Sequence, residues 1–294
     1  MQRPSFQLRM AMQLGEKTAG EFGFTDFPID PRKIKAVKDI SIYTKDSAGG
    51  ISGALIIANS KFSILHSTEF NNEGFENFCL SHELGHYFLP DHPEIIMRQG
   101  GTHYSRAGFT ENTSIELEAD HFASGLLMPS DLTRKLLSRT TIGLDGILSL
   151  ADRARASRTA AAIRAAECST YPIAVIVSRE VKVSYAFLSD GFKKLGKLAF
   201  LRKGTPLPPS LTKDFNANPD NVLRAKRQCA STTLHDWFDG PRGVELDEEI
   251  VGLGAYGFTL TVLSNDNLPV DPDETEDEEA DLKERWKPRF AYGR

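Results

Sequence analysis

The chain has 294 residues, 40% hydrophobic, 26% charged and 9% aromatic, enough apolar material for two or three small cores, which excludes a disordered, collagenous or disulfide-stapled protein. Its formal charge of -5 is unevenly placed: residues 271–284 hold nine Asp or Glu against one lysine, a local -8, which leaves the rest of the chain at about +3. Cys79, Cys168 and Cys229 share no Cys-x-x-Cys spacing, no apolar run approaches the roughly 20 residues of a membrane span, and the first residues lack the apolar core of a secretory signal, so a cytoplasmic protein without membrane contact is expected.

In chain order, Leu8, Met12, Ala19 and Phe22 recur at near-helical spacing and predict an opening amphipathic helix, ended at Gly23. Asp30-Pro31 reads as an N-cap followed by proline at the first helical position, starting a short helix through Val37, and Gly49-Gly50 breaks the chain again. Apolar runs at residues 53–58 and 62–65, separated by Asn59-Ser60-Lys61, predict a β-hairpin. A helix is expected from near Asn72, with Phe75, Phe78, Cys79, His82 and His86 on one face and Pro90 closing it. Residues 93–112 show no clean period and read as a loop.

A second helix is expected over about residues 113–127, ended by Pro129-Ser130-Asp131, with short helices across 131–166 divided by Gly143 and Gly146. Past Tyr171-Pro172 the period changes to strands at 173–177, 181–187 and 257–263, around a Gly- and Pro-rich loop. The domain boundaries expected are therefore 1–129, 130–168 and 169–265, with an acidic, disordered tail at 266–294.

His82-Glu83-Leu84-Gly85-His86 is the strongest chemical signal. Two histidines four apart on a helix aim their imidazoles at one point and can share a zinc ion, with Glu83 beside it. A hydrolytic zinc site needs a third protein ligand, and Glu116-Leu117-Glu118-Ala119-Asp120 supplies candidates. Glu116 and Asp120 share a helical face, so Glu116 can ligate while Asp120 accepts a hydrogen bond from a ligand histidine. Glu118 points about 200° away from Glu116 around the helix, so only one of the two is the ligand, and Glu116 is preferred for its partner four residues on. The chemistry implied is metal-assisted amide hydrolysis with Glu83 as general base. His103 and Tyr104 are the candidates for an oxyanion donor, while His66, His92, His121 and His235 read as ordinary polar residues.

On two blocks the chain resembles the ImmA/IrrE metallopeptidases: Phe78-Cys79-Leu80-Ser81-His82-Glu83-Leu84-Gly85-His86, and Glu116-Leu117-Glu118-Ala119-Asp120-His121-Phe122-Ala123-Ser124-Gly125-Leu126-Leu127-Met128-Pro129. Tyr171-Pro172-Ile173-Ala174-Val175 and Phe238-Asp239-Gly240-Pro241-Arg242-Gly243 are similar to the longer IrrE-type members, which add a helix-turn-helix-like segment and a GAF-like sensor domain. The resemblance implies an α+β fold: a mainly helical zincin-like peptidase domain with a small sheet, then the helix-turn-helix-like segment and an α+β GAF-like domain. It also implies His82, His86 and Glu116 as ligands of zinc, or of manganese in the cell, and Glu83 as the catalytic base. The implied substrate is a helix-turn-helix repressor, whose cleavage releases stress-response or mobile-element genes.

Residues 132–165 carry seven basic side chains against Asp145 and Asp152, and Ser157 reads as the cap of a second helix after a tight turn. Arg158 and Arg164 would meet phosphates or bases if that helix entered a groove, but its exposed positions are mostly alanine, with no Asn or Gln for adenine edges. Packing or repressor docking is therefore preferred to direct DNA binding. In the last domain a small molecule or partner is the expected ligand, with Trp237, Phe238 and Arg242 either lining a pocket or serving as core and turn residues. The rival reading of the whole chain is a DNA- or signal-binding regulator with a non-catalytic metal site.

Overall fold

The computed structural model describes residues 6–34, 40–46, 51–69, 72–105 and 114–267. The end of the helix expected through Val37, the Gly49-Gly50 break and the acidic run at 271–284 lie outside them. The chain is mixed α and β, with two sheets, and divides into two compact units: residues 1–141 with 145–168, and residues 142–144 with 169–294. Most of the segment 130–168 falls within the first unit, where its last helix is tied by buried polar contacts to the first helix of the chain.

The first unit opens with α1 (Phe6–Glu21), which stops before Gly23 at φ 74°. A 3₁₀ turn at Pro31–Ile34 follows, where the Asp30 carboxylate accepts the Arg32 N–H. A four-stranded sheet comes next: β1 (Ile40–Lys45), β2 (Gly53–Ala58), β3 (Lys61–Ser67) and β4 (Thr102–Ser105), in the order β1-β3-β2-β4. The β2-β3 hairpin turns on Asn59 and Ser60, both at positive φ, which suits a tight two-residue connection. β1 runs parallel to β3, a pairing no local signal announces.

α2 (Glu73–Phe88) covers this sheet, then α3 (His92–Arg98) leads into β4, so residues 92–105 are a helix and a strand where the sequence suggested a loop. Seven residues hold too few turns to display a helical period, and β4 is recognisable only through its pairing with β2. α4 (Ser114–Leu127) is followed by α5 (Ser130–Leu137), α6 (Leu144–Ala154) and α7 (Arg158–Cys168). Gly146 lies inside α6 and does not divide helices; Gly143, at φ 100°, does.

α1 and α4 cross backbone to backbone. A β-carbon on Gly15 would collide with the Phe122 carbonyl, and one on Gly125 with the Met12 carbonyl. Around this crossing Ala11, Ala19, Ile29, Ile34, Leu55, Ile64, Leu80, Leu84, Phe122 and Leu126 form one buried core. Full burial of each Leu- or Ile-sized side chain contributes roughly 1.5–3 kcal/mol against the entropy of ordering the chain.

The helices α6 and α7 are joined by residues 155–157, and the Ser157 hydroxyl accepts the Ala160 N–H as an N-cap. Just over half of α7 faces inward. Ala161, Ala162, Arg164, Ala165, Ala166 and Cys168 are all buried. Arg164 spends its guanidinium inside the unit, on the Glu16 carboxylate, the Ser130 hydroxyl and the Met128 carbonyl, so it is not available to a phosphate. Arg158 is exposed.

The second unit is a five-stranded antiparallel sheet. Strands β5 (Ala174–Arg179), β6 (Lys182–Leu188), β7 (Arg227–Thr233), β8 (Glu245–Gly252) and β9 (Thr259–Ser264) lie in the order β6-β5-β9-β8-β7. β7 and β8 occupy ground that read as loop, because β7 is mostly exposed and β8 carries five acidic or glycine positions among its eight residues. Trp237 and Phe238 are core residues here, packed with Phe192, Leu234 and Leu263, while Arg242 is an exposed turn residue. A buried polar knot holds the short helix at Leu211–Asn216 to the sheet: Glu248 accepts both the N–H and the hydroxyl of Thr212, which also meets Thr261.

Candidate metal centre

α2 begins where the sequence puts it. The Asn72 side chain accepts the Phe75 N–H, Glu73 and Glu76 complement the positive end of the helix dipole, and Leu89 closes the last turn by donating to the Gly85 carbonyl. On this helix His82 and His86 stand one turn apart and buried, their Nε2 atoms 3.1 Å from each other. Gly85 sits between them, and a β-carbon there would lie 3.1 Å from the Ala119 Cα, so α2 and α4 approach closely at this level. That approach brings Glu116 across. Its Oε2 is 3.3 Å from His82 Nε2 and its Oε1 is 3.3 Å from His86 Nε2.

One ligand atom from each of His82, His86 and Glu116 lies within 4.8 Å of the others, the arrangement a single metal ion requires, and all three side chains are buried. The outer ring nitrogens are engaged elsewhere: His82 Nδ1 meets Asp120 Oδ1 at 2.9 Å, and His86 Nδ1 meets His92 Nδ1 at 3.1 Å. An Nδ1 proton shared outward leaves the Nε2 lone pair facing inward, the tautomer a metal ligand needs. Glu83 fits the same reading from beneath. It is fully buried, and neither carboxylate oxygen has a hydrogen-bond partner among the described protein atoms. A carboxylate so placed is costly unless a bound water completes it. The donor set and the orphaned carboxylate together fit a divalent ion.

Glu83 rests on the sheet at a residue without a side chain, because a β-carbon on Gly53 would collide with its Oε1. Gly53 pairs with His66 on one side and Ser105 on the other, so these three form one row across β3, β2 and β4 on the face turned to α2. Both ring nitrogens of His66 are buried without a partner among the described residues.

The electrostatics separate the groups. Burial pushes the Glu83 carboxyl up to about 7, which suits a proton acceptor working near neutrality. Burial opposes charge on His82 too, yet its hydrogen bonds to Asp120 and Glu116 win and raise it to about 10. Burial dominates at His86 and lowers it to about 3. Glu116 also pays for burial, but hydrogen bonds from His103, His82 and His86 hold it far below the usual carboxylate range. Cys79, beside the site, is pushed up to about 12 by burial, so it is no nucleophile at neutral pH.

Of the remaining candidates, His103 comes to the cluster and Tyr104 does not. His103 Nε2 lies 2.7 Å from Glu116 Oε1, with its ring 4.5 Å from that of His86. Tyr104, its neighbour on β4, points the opposite way and is 55% exposed, as strand alternation demands. Glu118 is not in the cluster; it meets His92 Nε2 at 3.4 Å. His92, which read as an ordinary polar residue, is thus part of the site. It stands six residues past His86, beyond the reach of a helical period, and only the turn at Pro90-Asp91 folds it back. His121 bonds to the Leu117 carbonyl of its own helix and His235 to the Gly240 carbonyl, outside the site.

Residues 44–166 match the IrrE N-terminal-like domain family, Peptidase_M78. The IrrE N-terminal-like domain therefore takes in β2 to β4, α2 to α6 and nearly all of α7, including every residue of the cluster. The chain is similar to a Mycobacterium tuberculosis transcriptional regulator of known structure, 14% identical over 87% of this chain and 76% of that one, with a TM-score of 0.52, a likeness of fold. No curated protein matches the chain. Among the described residues no helix is long and apolar enough to cross a membrane.

Proposed function

We propose that the chain is a zinc-dependent endopeptidase that cuts a helix-turn-helix repressor at one site and thereby releases the genes it silences. The observation that carries this reading is the meeting of His82, His86 and Glu116 above the buried, unpartnered carboxylate of Glu83. Two imidazoles and one carboxylate favour zinc, which when bound supplies an activated water and a Lewis acid for the scissile carbonyl. Glu83 would take a proton from the attacking water on a carboxylate oxygen and deliver it to the leaving amine nitrogen. Asp120 holds the His82 ring, and Gly53 lets the Glu83 carboxylate lie flat against the sheet. His103, already beside Glu116, is placed to donate an N–H to the oxyanion as it forms.

The match of residues 44–166 to the IrrE N-terminal-like family supports a peptidase, and likeness of fold to a transcriptional regulator is in keeping with a regulatory substrate. The second unit, an α+β sheet domain, would act as the GAF-like sensor for a small molecule or partner, with α6 and α7 serving packing or repressor docking. The rival regulator without catalysis keeps the same metal site but needs no Glu83. Metal-loaded protein incubated with host lysate, beside a Glu83→Gln control, separates them when new peptide termini are mapped by mass spectrometry. One dominant cut in a helix-turn-helix protein, missing from the control, supports the peptidase. No Glu83-dependent cut in lysates of resting and stressed cells would sink it.

A further inference from the structure

Glu116, Glu118 and Asp120 project from one stretch of α4, and the ligand cluster and the Asp120 bond account for two of them. The third leads to the back of the other histidine. His86 turns Nε2 toward Glu116 and His82, and Nδ1 toward His92 Nδ1 at 3.1 Å. His92 turns its far nitrogen, Nε2, toward Glu118 Oε2 at 3.4 Å. His92 is 2% exposed, with its ring 5.2 Å from that of His86, so the contact is made inside the protein and not across solvent.

We propose that Glu118 and His92 are positioning residues for the metal ligand His86, forming a directed hydrogen-bond chain that sets its tautomer and aim, as Asp120 does for His82. The inference rests on the metal-site reading above. Two nitrogens of neutral imidazoles can share only one proton, so the Nδ1-to-Nδ1 contact has one donor and one acceptor. If His86 Nε2 offers its lone pair to a cation, the His86 proton sits on Nδ1 and is donated to His92. His92 Nδ1 must then be bare, which places its own proton on Nε2, facing the Glu118 carboxylate. Each link allows one tautomer only, and a carboxylate at the end increases the basicity of the chain back to His86.

This arrangement also explains two sequence features. Glu118 lies about 200° from Glu116 around the helix, and the two glutamates approach the histidine pair by separate routes, one directly and one through His92. Asp91, at φ 67°, makes the tight turn that folds His92 back over His86 immediately after α2 ends.

The test is the affinity of the full chain for Zn²⁺ alone, measured against a chromophoric chelator, for wild type, His92→Leu, His92→Gln and Glu118→Gln, with thermal unfolding of the metal-free proteins alongside. The expected result is a 10- to 100-fold weaker affinity for His92→Leu, partial recovery in His92→Gln, whose amide oxygen can accept the His86 proton, and a several-fold loss for Glu118→Gln. If His92 is only a core residue, His92→Leu lowers the unfolding temperature and leaves affinity unchanged, which overturns the proposal. Should His92→Leu not fold, Glu118→Gln decides: affinity equal to wild type overturns the chain, a several-fold loss supports it. A wild-type chain that binds no Zn²⁺ overturns the metallopeptidase reading and this one together.

Discussion

The backbone of Gly53 lies directly against the carboxylate of Glu83, so that no side chain of any size fits between the sheet and the proposed general base. The contact ties the acid-base group to the hairpin rather than to its own helix alone, and its consequence can be measured.

Gly53→Ala should push the Glu83 carboxylate off its place without touching a metal ligand. A displacement of about 1 Å at a reacting group costs on the order of 100-fold in rate, so kcat should fall by that order while zinc affinity stays within a few-fold of wild type. A variant that retains full turnover would show that Glu83 acts from elsewhere.

Glu83→Gln should stabilise the metal-free protein at neutral and higher pH. An ordinary carboxyl ionises near 4.5, whereas burial moves Glu83 to about 7 in the folded chain. Between these values the folded chain keeps a proton that the unfolded chain has released, so stability falls as pH rises from 4.5 through 7 and then levels. Removing the charge should recover roughly 1–3 kcal/mol above pH 7, the cost of an unsatisfied buried polar group. Urea unfolding of both proteins at pH 5 and pH 8, with chelator present, checks this; a gap between them that shrinks as pH rises would contradict the shift.

Asp120→Asn should weaken zinc binding by about 10- to 100-fold through loss of the charged partner of His82 Nδ1. Equilibrium dialysis at a fixed chelator concentration reads the change directly, and undiminished binding would remove Asp120 from the site.

Arg164→Ala should destabilise the first unit by about 3–5 kcal/mol, because it strands Glu16 and empties a buried polar site shared with Ser130 and the Met128 carbonyl. Affinity for duplex DNA, if any is found, should not respond in the folded protein. A stable variant with lowered DNA affinity would give Arg164 the phosphate contact that a groove-entering helix would make.

Gly125→Ala and Gly20→Ala should move stability in opposite directions. A β-carbon at 125 meets the Met12 carbonyl, while one at 20 meets nothing within 4 Å. Overpacking costs about 1–3 kcal/mol at the first, and the gain in helix propensity near the end of α1 is worth up to about 1 kcal/mol at the second. Equal midpoints in urea would mean that α1 does not cross α4 at Gly125.

Much that depends on residues close together in the chain was legible in advance. The helix start near Asn72, the turn at Asn59-Ser60 and the paired aim of His82 and His86 follow from local torsions and the 3.6-residue turn, which act over a few residues whatever surrounds them. Membership of Glu116 in the cluster was readable in part for the same reason, since its spacing to Asp120 is helical. Folding alone decided the rest. His103 and Tyr104 are adjacent in sequence, and only the pairing of β4 with β2 turns one toward Glu116 and the other to solvent. His92 and Glu118 meet because α2, α3 and α4 pack at one place, and Arg164 is buried because a carboxylate 148 residues earlier waits for it. Such contacts bring together residues that no local period relates, and the shape of the packed core selects them.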